Sequence, residues 1–482
     1  MIEKKQFYIN GKWVAPAEGR DHSVINPSTE EPCAVISLGG QADTDAAVAA
    51  AKAALPGWMA TPVEERITLL ENLLAVYMDR AEDLAQAMTV AMGAPIDMSR
   101  TSQVGAGSYH LKNFIRAAKA YEWEHPFDNR TDGARIIHEA VGVCALITPW
   151  NWPMNQVTLK VGAALVAGNT MVLKPSEESP LDAIVFAELM DEAGFPPGVF
   201  NLVNGDGVGV GSQLSAHTDV DMVSFTGSTR AGKLISKSAA DTLKRVHLEL
   251  GGKGANLIFA DADEKAVKRG VLHVMENSGQ SCNAPTRMMV EAAAYDRVVE
   301  EATAMAQKIQ VGPADQSGRH IGPVVNESQW NKIQDLIQTG IDDGARLIAG
   351  GVGRPEGLNK GFYVRPTVFA DVTPDMTIAN EEIFGPVLSI MKFESEDDAV
   401  RVANDTPYGL TNYVQSADPA RRNRLARQLR SGMVEMNGMS RGNGAPFGGM
   451  KMSGNGREGG HYGIHDFVEI KSVSGWTEDE TA

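Results

Sequence analysis

Val143-Cys144-Ala145-Leu146-Ile147-Thr148, followed by Thr170-Met171-Val172-Leu173-Lys174, sets the fold. Each stretch is a short unbroken apolar run, and the interval between them leaves room for a crossover helix. The rhythm continues through residues 200–203, Met222–Thr226 and 246–250. Apolar runs without polar alternation are what strands buried on both faces require, so a mostly parallel sheet covered by helices is expected. In such α/β sheets ligands bind beyond the C-terminal ends of the strands, and every motif below is expected at such an end.

Outward from this block, Phe7-Tyr8-Ile9-Asn10-Gly11-Lys12-Trp13-Val14 reads as a hairpin turned by Asn-Gly. An alanine-rich helix is expected from Asp43-Thr44. A second opens with Thr61-Pro62-Val63-Glu64, read as a capping box, and carries Ile67, Leu70, Leu74 and Tyr77 at helical spacing. A second α/β block is expected from about residue 253 to 437. Its strand candidates are 288–290, 362–364, 387–391 and 412–414, with a charged helix over 418–430 and a last strand over 466–473.

The chain has 482 residues, 43% hydrophobic and 22% charged, with a net charge of −17. A surplus of negative charge argues against nucleic-acid or anionic-membrane partners, which need a basic surface. No apolar run is long enough for a membrane helix, and Met1–Gln6 lacks the apolar segment of a secretory signal, so a cytoplasmic location is expected. The three cysteines, Cys33, Cys144 and Cys282, form no CxxC pair, so neither a disulfide framework nor a zinc site is expected, and no metal ligand set stands out. Cys33 and Cys144 read as small buried hydrophobes.

Cys282 differs. Its neighbours in Asn277-Ser278-Gly279-Gln280-Ser281-Cys282-Asn283 are small and polar, as in a tight turn that presents a thiol. Such a thiol becomes reactive where a helix N-terminus or positive groups lower its pKa. Glu249, in Leu248-Glu249-Leu250-Gly251-Gly252-Lys253, stands at a strand end before two glycines and is either a catalytic carboxylate or a solvated terminus. Asn151, in Pro149-Trp150-Asn151-Trp152-Pro153, is a side-chain amide in a rigid turn, the kind of donor a developing oxyanion requires, or plain turn chemistry.

Three stretches could hold phosphate or ribose. Phe225-Thr226-Gly227-Ser228 opens a helix, but Leu234 stands where a P-loop needs Ser or Thr. The run Gly205–Gly211, with Gly207 and Gly211, lacks the last glycine of a dinucleotide fingerprint. Lys174-Pro175-Ser176-Glu177 could grip ribose hydroxyls, the Glu177 charge opposing a 2′-phosphate.

With Glu382-Ile383-Phe384-Gly385-Pro386-Val387, Pro446-Phe447-Gly448-Gly449 and Ser453-Gly454, these motifs in this order resemble the aldehyde dehydrogenase superfamily over essentially the whole chain. The resemblance implies that Cys282 is the nucleophile, with its backbone N–H and the Asn151 amide as oxyanion hole. Glu249 would activate water, with Lys160 and Glu458 as a proton relay. It implies NAD as cofactor (NADP possible), held by Thr148, Pro149, Trp150, Lys174, Glu177, Gly207, Gly211, Phe225, Gly227, Ser228, Leu250, Glu382 and Phe384. Relatives that pass the acyl group to coenzyme A typically lack the glutamate at 249, so hydrolysis is expected. A CoA-acylating semialdehyde dehydrogenase and a P-loop-like nucleotide-binding protein are the alternatives.

The implied fold is α/β. A Rossmann-like cofactor domain would span 1–118 and 139–252, and a catalytic α/β domain 253–437. A small β oligomerisation arm would span 119–138 and 455–482, with 438–454 returning to the cofactor domain as an anchor loop. A homodimer or homotetramer is the implied assembly. Arg441 could meet a substrate carboxylate or be solvated.

Overall fold

The structure is a computed structural model, and it describes residues 1–17, 19–128 and 133–477. Residues 129–132 and 478–482 of the expected arm lie outside the described residues. The runs at Thr170–Lys174 and Met222–Thr226 are strands as expected, Val143–Ile147 and Phe200–Leu202 end one residue earlier than expected, and Arg245–Glu249 is shifted by one residue at both ends. They form the parallel centre of an eight-stranded sheet, ordered Gly454–Asn455, Arg245–Glu249, Met222–Thr226, Val143–Ile147, Thr170–Lys174, Phe200–Leu202, Phe7–Ile9, Lys12–Val14. From Val143–Ile147 the chain winds first to one side and then, at Met222–Thr226, to the other. That reversal opens a crevice between these two neighbours, where a doubly wound sheet takes its ligand.

The Phe7–Val14 hairpin forms as read, with Asn10 at φ 52° and Gly11 at φ 71°. The helix after Thr61 runs Val63–Asp79, but Thr61 does not cap it; its hydroxyl donates to the Gly57 carbonyl at 3.0 Å and closes the preceding helix. Leu73 is buried in place of Leu74. The helix Pro153–Ala167, which follows the Asn151 turn, is buried on every side. It stops at Gly168 (φ +86°), where a Cβ would lie 2.0 Å from the Arg66 guanidinium.

A seven-stranded sheet follows, ordered Arg346–Ala349, Thr367–Ala370, Val387–Phe393, Arg287–Glu291, Ala255–Ile258, Thr411–Gln415, Met433–Met436. The expected strand at 362–364 does not form. There the backbone of Phe362 donates to Pro27 and accepts from Val324, both in loops, and the strand begins after Pro366. The last strand is Val468–Ser474, because Asp466 ends the helix Gly460–Asp466. It pairs with Ala134–Ala140, which also pairs with Glu124–Pro126. Another small sheet, of Ile2–Lys4, Glu31–Leu38 and Arg20–Asn26, has no counterpart in the sequence reading.

Apolar clusters line both faces of each large sheet; each fully buried Leu, Val or Phe stabilises by roughly 1.5–3 kcal/mol. The C-terminal ends of the first sheet meet the N-terminal ends of the second. Cys282 and Phe384 therefore precede strands, Arg287–Glu291 and Val387–Phe393, rather than follow them as expected. Two sheets facing each other this way bring strand ends of opposite sense to one seam.

Candidate active site

The Cys282 turn is built under strain. Asn277, Ser278 and Gly279 have φ of 51°, 56° and 75° in succession. Left-handed conformations at two non-glycine residues persist only where surroundings enforce them. Ser278 Oγ donates to the Gly322 carbonyl at 2.7 Å, and the Val325 amide donates to Gln280 Oε1 at 2.9 Å. A Cβ on Gly279 would lie 2.0 Å from the Gly385 carbonyl oxygen.

The Asn151 turn locks onto this one. The Asn151 Nδ2 donates to the Gln280 carbonyl at 2.9 Å, and Trp152 Nε1 donates to Ser281 Oγ at 2.7 Å. The Asn151 carbonyl in turn accepts from Asn277 Nδ2 at 2.8 Å. An amide nitrogen carries two hydrogens, so one N–H of Asn151 serves the turn and the other is left for a ligand.

Cys282 lies on the wall shared by two cavities. The narrower, of about 160 Å³, is the crevice at the strand reversal, and Pro149, Trp150, Asn151, Gly227, Ser228, Leu250, Glu382 and Phe384 all line it. Phe384, at φ 60°, sets its ring edge-on to Trp150, with centroids 5.5 Å apart. Glu382 Oε1 accepts from the Gly252 amide at 2.9 Å. Ser228 caps the helix Thr229–Ala239, accepting from the Ala231 amide, so that helix N-terminus opens at the cleft. Thr148 and Phe225 stand behind the wall: Thr148 donates its amide to Lys174, and the Phe225 ring packs on Gly227.

Lys174, Glu177, Gly207 and Gly211 gather elsewhere, at the end of the neighbouring strand. Lys174 Nζ donates to the Gly205 and Pro175 carbonyls at 2.6 Å each, with Glu177 at 3.5 Å. Sequence reasoning missed Thr226, Gln329 and Lys332 on the narrow cleft. The buried Thr226 hydroxyl has no partner there, and a buried unpaired hydroxyl facing a cleft fits a polar ligand atom.

The wider cavity, of about 490 Å³, holds Cys282 at its base and Glu458 on its wall. Lys160 reaches Glu458 Oε1 at 2.6 Å, both fully out of water, and donates to Ser224 Oγ at 3.1 Å. Glu249 lines neither cavity. It is buried against Gly448, with Oε1 3.7 Å from His247 Nε2, and neither carboxylate oxygen has a hydrogen bond. His247 Nδ1 lies 3.1 Å from Asp466. Burial opposes a charged imidazole, but Asp466 and Glu249 outweigh it and push His247 up to about 9. Burial pushes Glu249 up to about 7, against the pull of His247 and with the help of Glu458. His247 and Asp466 are far apart in the chain, and no local pattern marks them.

The thiol does not meet the expected cations. Burial raises the Cys282 pKa well above its ordinary value, and Glu382, Glu249 and Glu458 raise it further. In the protein alone Cys282 is therefore a thiol, and a base must take its proton. Cys144 is fully buried and Cys33 half-buried, in agreement with their reading as hydrophobes.

A model of the Aldehyde dehydrogenase family matches residues 13–473. The chain is 49% identical over 478 residues to a Pseudomonas protein named 3-succinoylsemialdehyde-pyridine dehydrogenase, covering 99% of each. Among solved structures, an aldehyde dehydrogenase from Bartonella henselae is 58% identical with a TM-score of 0.98, over 99% of this chain and 100% of that one. A cysteine-to-alanine mutant of aldehyde dehydrogenase C from Pseudomonas syringae, in complex with NAD+ and octanal, is 45% identical with a TM-score of 0.96, over 99% and 98% of the two chains. On its fold, its cavities and its whole-length likeness, the chain belongs to the aldehyde dehydrogenase family.

Proposed function

We propose that the protein oxidises an aldehyde to its carboxylic acid with NAD+ and water, through a thioester on Cys282. The observation that carries this reading is the position of Cys282 on the common wall of two cavities. One is narrow and lined as the family resemblance assigns to the cofactor; the other is wide enough for a substrate. NAD+, when bound, supplies the hydride acceptor.

The residues of this chain do the rest. Glu249, with a pKa of about 7, is suited to accept the Cys282 proton near neutral pH once it swings away from His247. The thiolate adds to the aldehyde carbon, and the second Asn151 N–H with the Cys282 backbone N–H meets the resulting alkoxide. Single donors of this kind are worth roughly 2.7–4 kcal/mol in other enzymes. Glu249 first passes the Cys282 proton on towards Glu458, the carboxylate whose charge acts on it. After hydride departure leaves the thioester, the ionised Glu249 draws a proton from water, the hydroxide adds to the acyl carbon, the acyl C–S bond breaks, and the Cys282 thiolate and the acid are released. The buried Lys160–Glu458 pair is placed to pass the displaced proton from the wide cavity towards Ser224. Lys174 and Glu177 are suited to ribose hydroxyls, and Gly207 and Gly211 to a close backbone approach.

On this reading the eight-stranded sheet is the cofactor domain and the seven-stranded sheet the catalytic one. The sheet of Glu124–Pro126, Ala134–Ala140 and Val468–Ser474 is the oligomerisation arm of a homodimer or homotetramer. No described helix is long and apolar enough to cross a membrane, and we place the enzyme in the cytoplasm. The test is NADH formation over an aldehyde panel without coenzyme A. Turnover by the wild type, none by Cys282→Ala and, in Glu249→Gln, a slowed burst that stalls after one NADH support the scheme. NADH appearing only with coenzyme A overturns the hydrolytic step.

A further inference from the structure

The far wall of the wide cavity carries Arg441, the residue a carboxylate-bearing aldehyde would seek. That guanidinium is already engaged. Its Nε lies 3.2 Å from Glu435 Oε1, its Nη1 sits 3.2 Å from Met433 Sδ, and its carbon lies 4.8 Å over the Phe447 ring. Glu435 belongs to the strand Met433–Met436, so the counter-ion is built into the sheet rather than borrowed from a mobile side chain.

The other charges on this wall are negative or cancelled. Glu276 stands exposed on the cavity rim, and Glu458 is matched by Lys160. His110 and His273 also line the cavity, and burial, reinforced at both by the nearby Arg441, pushes each down to about 4. His110 Nε2 lies 2.7 Å from Asn155 Oδ1, so this imidazole is held as a neutral donor. The cavity therefore contains one cation with its own anion, a further carboxylate, and uncharged hydrogen-bonding rings beside Trp152, Tyr109 and Phe447. An anionic tail entering here would lose water and gain no unpaired cation. It would also lie beside Glu435, whose side chain is largely buried, and Glu276 on the rim, and like charges at close range repel it.

We propose that the substrate carries an uncharged, aromatic, hydrogen-bonding tail, and that Glu435 turns carboxylate-bearing aldehydes away by occupying the guanidinium that would receive them. This rests on the aldehyde-oxidation reading above. Glu435 is a specificity residue: it acts through Arg441 and does not touch the reacting carbon.

The test uses two probes of the same size and shape, 4-formylbenzamide and 4-carboxybenzaldehyde, with propanal as a simple aldehyde, on the full-length protein at pH 7.5. The readout is the ratio of kcat/KM for the amide to that for the carboxylate. The wild type is expected to favour the amide at least tenfold, and Glu435→Gln to shrink the ratio at least tenfold, mainly through KM for the carboxylate. Arg441→Gln, which leaves Glu435 unopposed, is expected to keep or widen the ratio, and it tests the proposal if Glu435→Gln does not fold. A wild-type preference for the carboxylate, an unchanged ratio in Glu435→Gln, or a selective loss of carboxylate turnover in Arg441→Gln overturns the proposal. No NADH from any of the three aldehydes overturns aldehyde oxidation itself, an outcome distinct from turnover with the wrong ratio.

Discussion

Replacing His247 by Gln should move the pH dependence of the hydrolytic step to higher pH. His247 Nε2 lies 3.7 Å from the Glu249 carboxylate, and Asp466 on its other side keeps the imidazole charged. A unit pair at about 4 Å interacts by roughly 4 kcal/mol at an effective dielectric of ~20, an upper figure for a site that can relax. Opposite charges at such range typically shift a carboxyl by about one to three pKa units. Glutamine keeps the volume and removes the charge, so Glu249 should rise from about 7 to above 8. The base acts ionised, so the sign is a loss at neutral pH that is recovered at alkaline pH. At pH 7.5 the ionised fraction, and with it the rate after the first turnover, falls roughly threefold for a one-unit rise and about 25-fold for two. The assay is the NADH burst followed by steady-state turnover from pH 6 to 10. The burst should stay stoichiometric while the ascending, acid-side limb of the steady phase moves to higher pH. Asp466→Asn, which leaves the imidazole less firmly charged, should give a smaller shift in the same direction. An unmoved limb in His247→Gln would refute the coupling.

Three further outcomes follow from the geometry. Gly279→Ala places a Cβ 2.0 Å from the Gly385 carbonyl in a left-handed turn, so the thiol should shift and kcat fall by about 10²-fold, with circular dichroism unchanged. Lys160→Met leaves the Glu458 carboxylate buried without its cation and should cost about 3–5 kcal/mol in chemical denaturation, most of it recovered in the Lys160→Met/Glu458→Gln double variant. Glu382→Gln removes one of the carboxylates that, after burial, raise the Cys282 pKa; iodoacetamide alkylation at pH 8 should quicken roughly three- to tenfold, a readout independent of turnover.

The parallel strands were legible because their burial leaves a plain signal. Thr170–Lys174 and Met222–Thr226 are apolar or short-polar but for the terminal Lys174, and all ten residues are buried. The sheet of Ile2–Lys4, Arg20–Asn26 and Glu31–Leu38 was not legible, since it is mostly exposed or half-exposed and two of its three strands are largely polar in sequence. Residues 362–364 look like a strand because they are apolar, yet burial against loops rewards the same composition. Cys282 and Asn151 could be read through local turns, and Glu382 only through the family resemblance. His247 and the Glu435–Arg441 pair could not: the first acquires meaning only from Asp466, and Arg441 looked available until its partner was in view. A one-dimensional pattern shows which groups are present, but not which are already spoken for.

The segment from Phe447 to Glu458 closes over the site from far along the chain. Phe447 and Glu458 exchange backbone hydrogen bonds, Ser453 holds the Gly251 carbonyl and the Leu250 amide, and Gly454 pairs with Glu249. A nascent chain that has not yet released these residues from the ribosome holds its cysteine turn without the segment packed behind Glu249 and without Glu458. On the proposed mechanism, then, the order of synthesis sets the order of assembly: the site is complete only once this segment has docked.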